Sequence, residues 1–330
     1  MEPQRASTAT WGGPRTRARR RAQPDVVGER LGAYVVERLL GEGGMARVYR
    51  ARHTTIDRAV AIKRLLPELA GVAEAHALLL REARIAGAIR HANLLEIFDF
   101  GYDTFARPYF VMELAAGATL ARRLRAGPLL EAQALDIAIE VAEAAAAVHA
   151  AGVVHRDIKA DNVMLARDGE RLVVKLIDFG IACRRDHGAE RVAGLAGTPR
   201  TMAPEQVASD PIDERTDVWG LGVLLYEMLA GRLPFEPGGS LRDDLLAIVA
   251  EPPRPLPDEL DAGVRAVVDA CLSKDPCDRP ADAGALARTL RAVQADFLAA
   301  RGLVARRGQG AGAAGGGSSL VSPGLITHSS

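Results

Sequence analysis
The segment Val153-Val154-His155-Arg156-Asp157-Ile158-Lys159-Ala160-Asp161-Asn162 crowds four charged side chains, a histidine and an amide into ten residues. Sixteen residues after Asn162 comes Asp178-Phe179-Gly180. Asp and Asn favour turns because their side chains bond the local backbone, and a turn that caps the next element accounts for the first stretch taken alone. It does not account for a second aspartate downstream and Lys63 upstream, in fixed order at compatible distances. That order argues for one site assembled from separated segments.

A third segment, Leu40-Gly41-Glu42-Gly43-Gly44-Met45-Ala46-Arg47-Val48-Tyr49, is glycine-rich with strand-like residues on both sides. A hairpin tip without side chains lets backbone N–H groups approach a polyphosphate, although an ordinary turn reads the same way alone. A dinucleotide-binding fold requires a helix after the glycines, and here a strand follows. In Val60-Ala61-Ile62-Lys63, period two puts Ala61 and Lys63 on one face. Small Ala61, with Val48 across the hairpin, leaves room for a flat base, while Lys63 reaches phosphates. A helix over 74–90 places Leu78, Glu82, Ile85 and Ile89 on one face. A carboxylate in an apolar stripe is costly unless paired, and Lys63 is the available cation. Glu74 is the rival partner, but a first-turn glutamate is already explained by the helix dipole.

The chain has 330 residues, 48% hydrophobic and 25% charged, enough apolar material for one large domain or two packed lobes. Basic and acidic side chains number 42 each, so no global field points to nucleic acid or a membrane surface. No run approaches the roughly 18 apolar residues of a membrane-spanning helix, and the start lacks the apolar core of a secretory signal; a cytoplasmic protein is expected. Cys183, Cys271 and Cys277 lack metal-ligand spacing and are read as reduced thiols. Residues 1–29 form an expected disordered tail with an Arg-rich cluster over 15–21, a weak candidate for nucleic acid, and 299–330 a Gly/Ser-rich tail. Between them, strands are expected over 34–40, 47–52, 59–65, 94–102 and 109–113, and after Gly117 helices over 131–150, 217–230, 261–273 and 282–298.

On these motifs the chain resembles the eukaryotic-type protein kinases, and within them the bacterial serine/threonine kinases. The resemblance covers about residues 34–298. It implies an α+β bilobal fold, with a small lobe (34–113) of five antiparallel strands and one helix, a hinge (113–116) and a larger helical lobe (117–298). It implies transfer of the γ-phosphate of ATP to Ser/Thr hydroxyls of proteins, including autophosphorylation, in bacterial signal transduction. Asp157 takes the place of the residue that accepts the acceptor's proton, and Asn162 and Asp178 those of the Mg²⁺ ligands, which suits an ion that prefers hard oxygen donors and keeps phosphates in its shell. Lys159 neutralises charge on the transferred group, and Lys63 with Glu82 clamps the nucleotide. Leu40, Gly41, Glu42, Gly43, Gly44, Met45, Ala46, Val48 and Ala61 line the ATP site, Met112 guards its back, and Glu113, Leu114 and Ala115 form the hinge that meets the base. Gly197 to Glu205 resembles the end of the activation segment, Asp217-Val218-Trp219-Gly220 opens a buried helix, and Arg279 pairs with Glu205. His155 and Phe179 hold the loops from the core.

Three positions depart from that pattern. Ala46 stands at the third glycine of the phosphate loop, where its methyl is expected to restrict backbone approach slightly. Thr201 replaces the usual tyrosine. Residues 181–197 contain no Ser, Thr or Tyr, so activity is expected without phosphate there, with Asp186 or Glu190 satisfying Arg156. A pseudokinase scaffold would commonly lack one of Lys63, Glu82, Asp157, Asn162 and Asp178. A small-molecule phosphotransferase would not be expected to carry the Gly197 to Glu205 segment.

Overall fold
A computed structural model describes residues 26–168, 171–179, 183–184 and 199–301. The small lobe is built from β1 (Arg30–Leu31), β2 (Tyr34–Glu42), β3 (Ala46–His53), β4 (Ala59–Leu65), helix α1 (Ala73–Ala88), β5 (Ile97–Tyr102) and β6 (Pro108–Met112). Its antiparallel sheet runs β1-β2-β3-β4-β6-β5, one strand more than expected. Alternation along the strands gives the sheet two apolar faces. Leu31, Tyr34, Val36, Tyr49, Ala51, Val60, Ile62, Tyr109 and Val111 fill one, and Ala46, Leu65 and Phe110 meet Ala75, Leu79 and Ala83 of α1 on the other.

Two expectations are corrected here. The helix buries Ala75, Leu79, Glu82, Ala83, Ile85 and Ala86, and Leu78 is exposed. Three consecutive leucines, Leu78 to Leu80, support more than one stripe through Glu82, and packing on Phe110 selects the one through Leu79. Glu29, placed in the tail, instead accepts both terminal nitrogens of buried Arg64, at 2.7 and 3.0 Å. Arg64 Nε donates to Asp103 at 2.8 Å, and Asp103 also accepts from Arg107 Nε at 2.7 Å. This ion network ties β1's entry to β4 and to the β5–β6 turn.

The large lobe follows with β7 (Gly117–Thr119), α2 (Leu120–Leu124), α3 (Glu131–Ala150), β8 (Val153–Val154), β9 (Val163–Asp168), β10 (Arg171–Leu176) and β11 (Cys183–Arg184). It closes with α4 (Pro204–Ala208), α5 (Glu214–Ala230), α6 (Leu241–Ala250), α7 (Ala262–Cys271) and α8 (Ala283–Ala300). Local chemistry sets these ends. Asp213, Ser240, Asp261 and Asp282 accept first-turn N–H groups of α5, α6, α7 and α8, and Gly231 stops α5 in the left-handed region at φ 66°. Helix α5 is apolar nearly all round and lies at the centre, with Trp219, Leu224 and Met228 packed among Leu135, Val141 and Val148 of α3, Val268 of α7 and Leu286 of α8. Leu94, expected to open the strand over 94–102, instead bridges Leu176 of β10, and that strand begins at Ile97.

Gly117 crosses between the lobes with its backbone pressed on β9. A Cβ there would fall on the carbonyl of Leu165, so only glycine fits.

Candidate active site
Strand β4 carries Lys63 opposite Val48 and Phe110, on the face turned to α1. Its Nζ donates to Glu82 Oε1 at 2.6 Å and to Asp178 Oδ1 at 3.0 Å. Glu82 is 3% exposed, and its Oε2 has no partner among the described residues. Burial lowers the affinity of Lys63 for its proton, but the charges of Glu82 and Asp178 more than offset this, so the amine stays a cation. Burial pushes the Glu82 carboxyl up, to about 7, against the pull of Lys63 and with a further push from Asp178.

The sign of the pH effect follows. Between the ordinary carboxylate range and about 7, folded Glu82 holds a proton that the unfolded chain has lost, so its contribution to stability falls as pH rises through that window. The ion pair with Lys63 behaves oppositely and weakens as pH falls below about 7. Activity is therefore expected to drop on the acid side of about pH 7, and Glu82→Gln to remove that limb while lowering the plateau. A pH profile of kcat/KM for ATP with both proteins checks it; an unchanged acid limb in the variant would assign it elsewhere.

Lys159 and Asn162, expected to act with Asp157, gather around it. Its Oδ2 accepts from Lys159 Nζ at 2.6 Å and Asn162 Nδ2 at 2.9 Å, and Asn162 Nδ2 also bonds the Asp157 carbonyl at 2.8 Å. Beneath the loop, Asp217 of α5 accepts the backbone N–H of His155 at 2.8 Å and of Arg156 at 2.7 Å, and His149 Nε2 lies 2.8 Å from the same carboxylate. Burial alone would raise the Asp217 carboxyl, yet the His149 bond and the nearby imidazoles hold it below its ordinary range. It stays ionised and anchors the loop. Arg156 and Asp178 both sit in the left-handed region, at φ 72° and 67°, strain that persists only where neighbours over-determine it. The rings of His155 and Phe179 meet at 5.1 Å.

In the glycine hairpin, Gly43 N–H bonds the Ala46 carbonyl at 2.9 Å. Gly41 and Gly44 have open space where a side chain would be, and Leu40, Glu42 and Met45 flank them, Glu42 paired with Arg47 at 2.7 Å. Ala46 buries its methyl beside Leu65, Ala75, Leu79 and Phe110, so the side chain expected to crowd the loop packs into the lobe instead. Ala61 lies opposite Met112, and Val48 and Ala115 are half-buried. At the hinge, Glu113 N–H bonds the Glu96 carbonyl at 2.8 Å, and its carboxylate accepts from Lys175 of β10 at 2.9 Å.

Glu205 and Arg279 are paired, at 2.8 and 3.0 Å. Gly180, Asp186, Glu190, Gly197 and Thr198 lie outside the described residues. Sequence reasoning did not foresee Lys175, Gln206 or the backbone bonds of Asp217. Only the last had a signal, an acid within an apolar helix.

A sequence model of the protein kinase domain matches residues 34–292. The chain belongs to the protein kinase family. This kinase domain is 37% identical over 271 residues to the serine/threonine-protein kinase pkn3 of Myxococcus xanthus, covering 79% of this chain and 50% of that protein. It is 38% identical over 283 residues to Pkn1 of the same organism, covering 84% and 40%, and 39% identical over 275 residues to PkaA of Streptomyces coelicolor, covering 79% and 50%. The chain thus spans about half the length, or less, of these curated relatives. Among the described residues, no helix is long and apolar enough to cross a membrane.

Proposed function
We propose that this kinase domain, over residues 34–298, transfers the γ-phosphoryl group of ATP to Ser or Thr hydroxyls of proteins, itself included. The observation that carries the reading is Lys63, which bonds both Glu82 of the small lobe and Asp178 of the large one and so joins a phosphate-binding amine to a metal-ligand carboxylate.

The donor set fits the nucleotide and its ion. Asn162 turns its nitrogen to Asp157, which leaves its amide oxygen, with the partly exposed Asp178 carboxylate, as hard oxygen donors. When bound, Mg²⁺ would be held by Asn162 and Asp178 and would supply neutralisation of phosphate charge.

Lys63 holds phosphate oxygens, and the open backbone from Gly41 to Gly44 covers them. Among the described residues, both bonds to the Asp157 side chain go to Oδ2, which leaves Oδ1 for the acceptor hydroxyl. As the acceptor oxygen bonds the γ-phosphorus and the bond to the β–γ bridging oxygen breaks, the hydroxyl proton passes to Asp157 and ADP departs. Lys159 neutralises charge on the group in transit.

The test is purified protein with radiolabelled ATP and Mg²⁺ against myelin basic protein, followed by phosphoamino-acid analysis. Label on serine or threonine is expected. ATP binding without transfer, or transfer to an aminoglycoside but not to protein, would overturn the proposal.

A further inference from the structure
The side chain of Gln206 in α4 makes two directed bonds, one of them to the backbone of the Asp157 loop. Its Oε1 accepts the backbone N–H of Ala203 at 2.9 Å, and its Nε2 donates to the backbone carbonyl of Arg156 at 3.0 Å. That carbonyl belongs to the peptide between Arg156 and Asp157. The opposite edge of the same peptide, the Asp157 N–H, lies 3.4 Å from His155 Nδ1, and the Arg156 N–H is held by Asp217 at 2.7 Å. A peptide unit is planar and turns as one body, so a bond to its carbonyl fixes Arg156 ψ and Asp157 φ together. Arg156 has φ 72°, a conformation that an unsupported arginine leaves readily.

We propose that Gln206 is a positioning residue that aims the Asp157 carboxylate by fixing the Arg156–Asp157 peptide. Because its other end grips Ala203, at the close of the 197–205 segment, it also ties the aim of that carboxylate to the segment expected to seat the acceptor. The inference rests on the proposed role of Asp157.

The geometry separates the two ends of the amide. In Gln206→Glu, one carboxylate oxygen still accepts from Ala203, but the other has no hydrogen to give and faces the Arg156 carbonyl. Gln206→Met keeps the length and loses both bonds. Displacing a reacting group by about 1 Å costs on the order of 100-fold in rate, and loss of one restraint among several on this loop is expected to cost roughly tenfold. Both variants should therefore lower kcat about tenfold with KM for ATP within about twofold, because the Lys63–Glu82 pair is untouched. A protonated glutamate regains a donor, so for Gln206→Glu alone the ratio of its kcat to that of the wild type at the same pH should rise as pH falls from about 7 toward the ordinary carboxylate range near 4. Hydrogen exchange of the peptide containing Asp157 should quicken in both variants at neutral pH, a readout that does not depend on turnover.

The proposal is overturned if Gln206→Glu keeps wild-type kcat and wild-type exchange, or if kcat and KM for ATP change together in proportion to lost thermal stability. Failure of the functional reading is distinct. It would appear as absent transfer in the wild-type protein, and the exchange comparison would still decide whether Gln206 holds the peptide.

Discussion

Asp157→Asn is expected to lower kcat by about 100- to 10,000-fold, the range for loss of a positioned general base, while ATP binding stays near that of the wild type. Asparagine fills the same space and offers an oxygen to Asn162, so the loop keeps its shape. What it loses is the carboxylate proposed to take the acceptor's proton, and with it the charge that Lys159 meets at 2.6 Å. Single-turnover transfer to myelin basic protein, beside nucleotide binding by calorimetry, separates the two effects. Near-wild-type transfer by the variant would remove Asp157 from the reaction, and matched loss of binding and transfer would point to a collapsed loop instead.

The second large effect is on stability. All five N–H donors of Arg279 are used. Nε bonds the Ser273 carbonyl, Nη1 bonds Glu205 Oε1 and the Arg215 carbonyl, and Nη2 bonds Glu205 Oε2 and the Lys274 carbonyl. Arg279 is 4% exposed and Glu205 5%. Replacing Arg279 by Met leaves the Glu205 carboxylate buried with, among the side chains of the described residues, only Thr216 Oγ1, at 2.7 Å, to satisfy it. Breaking a buried pair from one side costs about 3–5 kcal/mol, which for a domain of this size is on the order of 10 °C in Tm. Lysine, with three donors, is expected to recover little. Adding Glu205→Met to Arg279→Met should cost much less than the sum of the single changes, because the orphaned charge goes with it. Calorimetry of the four proteins checks this; a Tm for Arg279→Met within about a degree of wild type would show that the pair carries little of the lobe's stability.

How much of this was legible in the sequence depended on how local the cause was. Glu82 stood out because a carboxylate inside an apolar stripe demands a cation, whatever surrounds it. The stripe itself was drawn through Leu78 rather than Leu79, since periodicity cannot choose between adjacent leucines until Phe110 is packed against one of them. The alternation of β3 already put Ala46 on the face of Val48, and only the position of α1 showed that the face is filled at that end. Glu29 looked like tail because two residues of strand carry no period, and its reason for order, Arg64, lies 35 positions away. Gln206 was silent for the same reason. An amide in a short polar stretch does not announce which carbonyl it will hold.

Gly117 sets where the hinge is fastened to the large lobe. Above it, Met112 is locked into the sheet opposite Ala61 and Ile97. Below it, the chain lies flat on β9 with no side chain between, and Lys175 draws Glu113 toward the same layer. Leu114, Ala115 and Ala116 lie between these two anchored ends, and a second seam runs beside them, where Leu94 bridges Leu176 and Lys175 Nζ bonds the Leu94 carbonyl. The two halves are therefore fastened along a line of two adjacent crossings rather than at a single point.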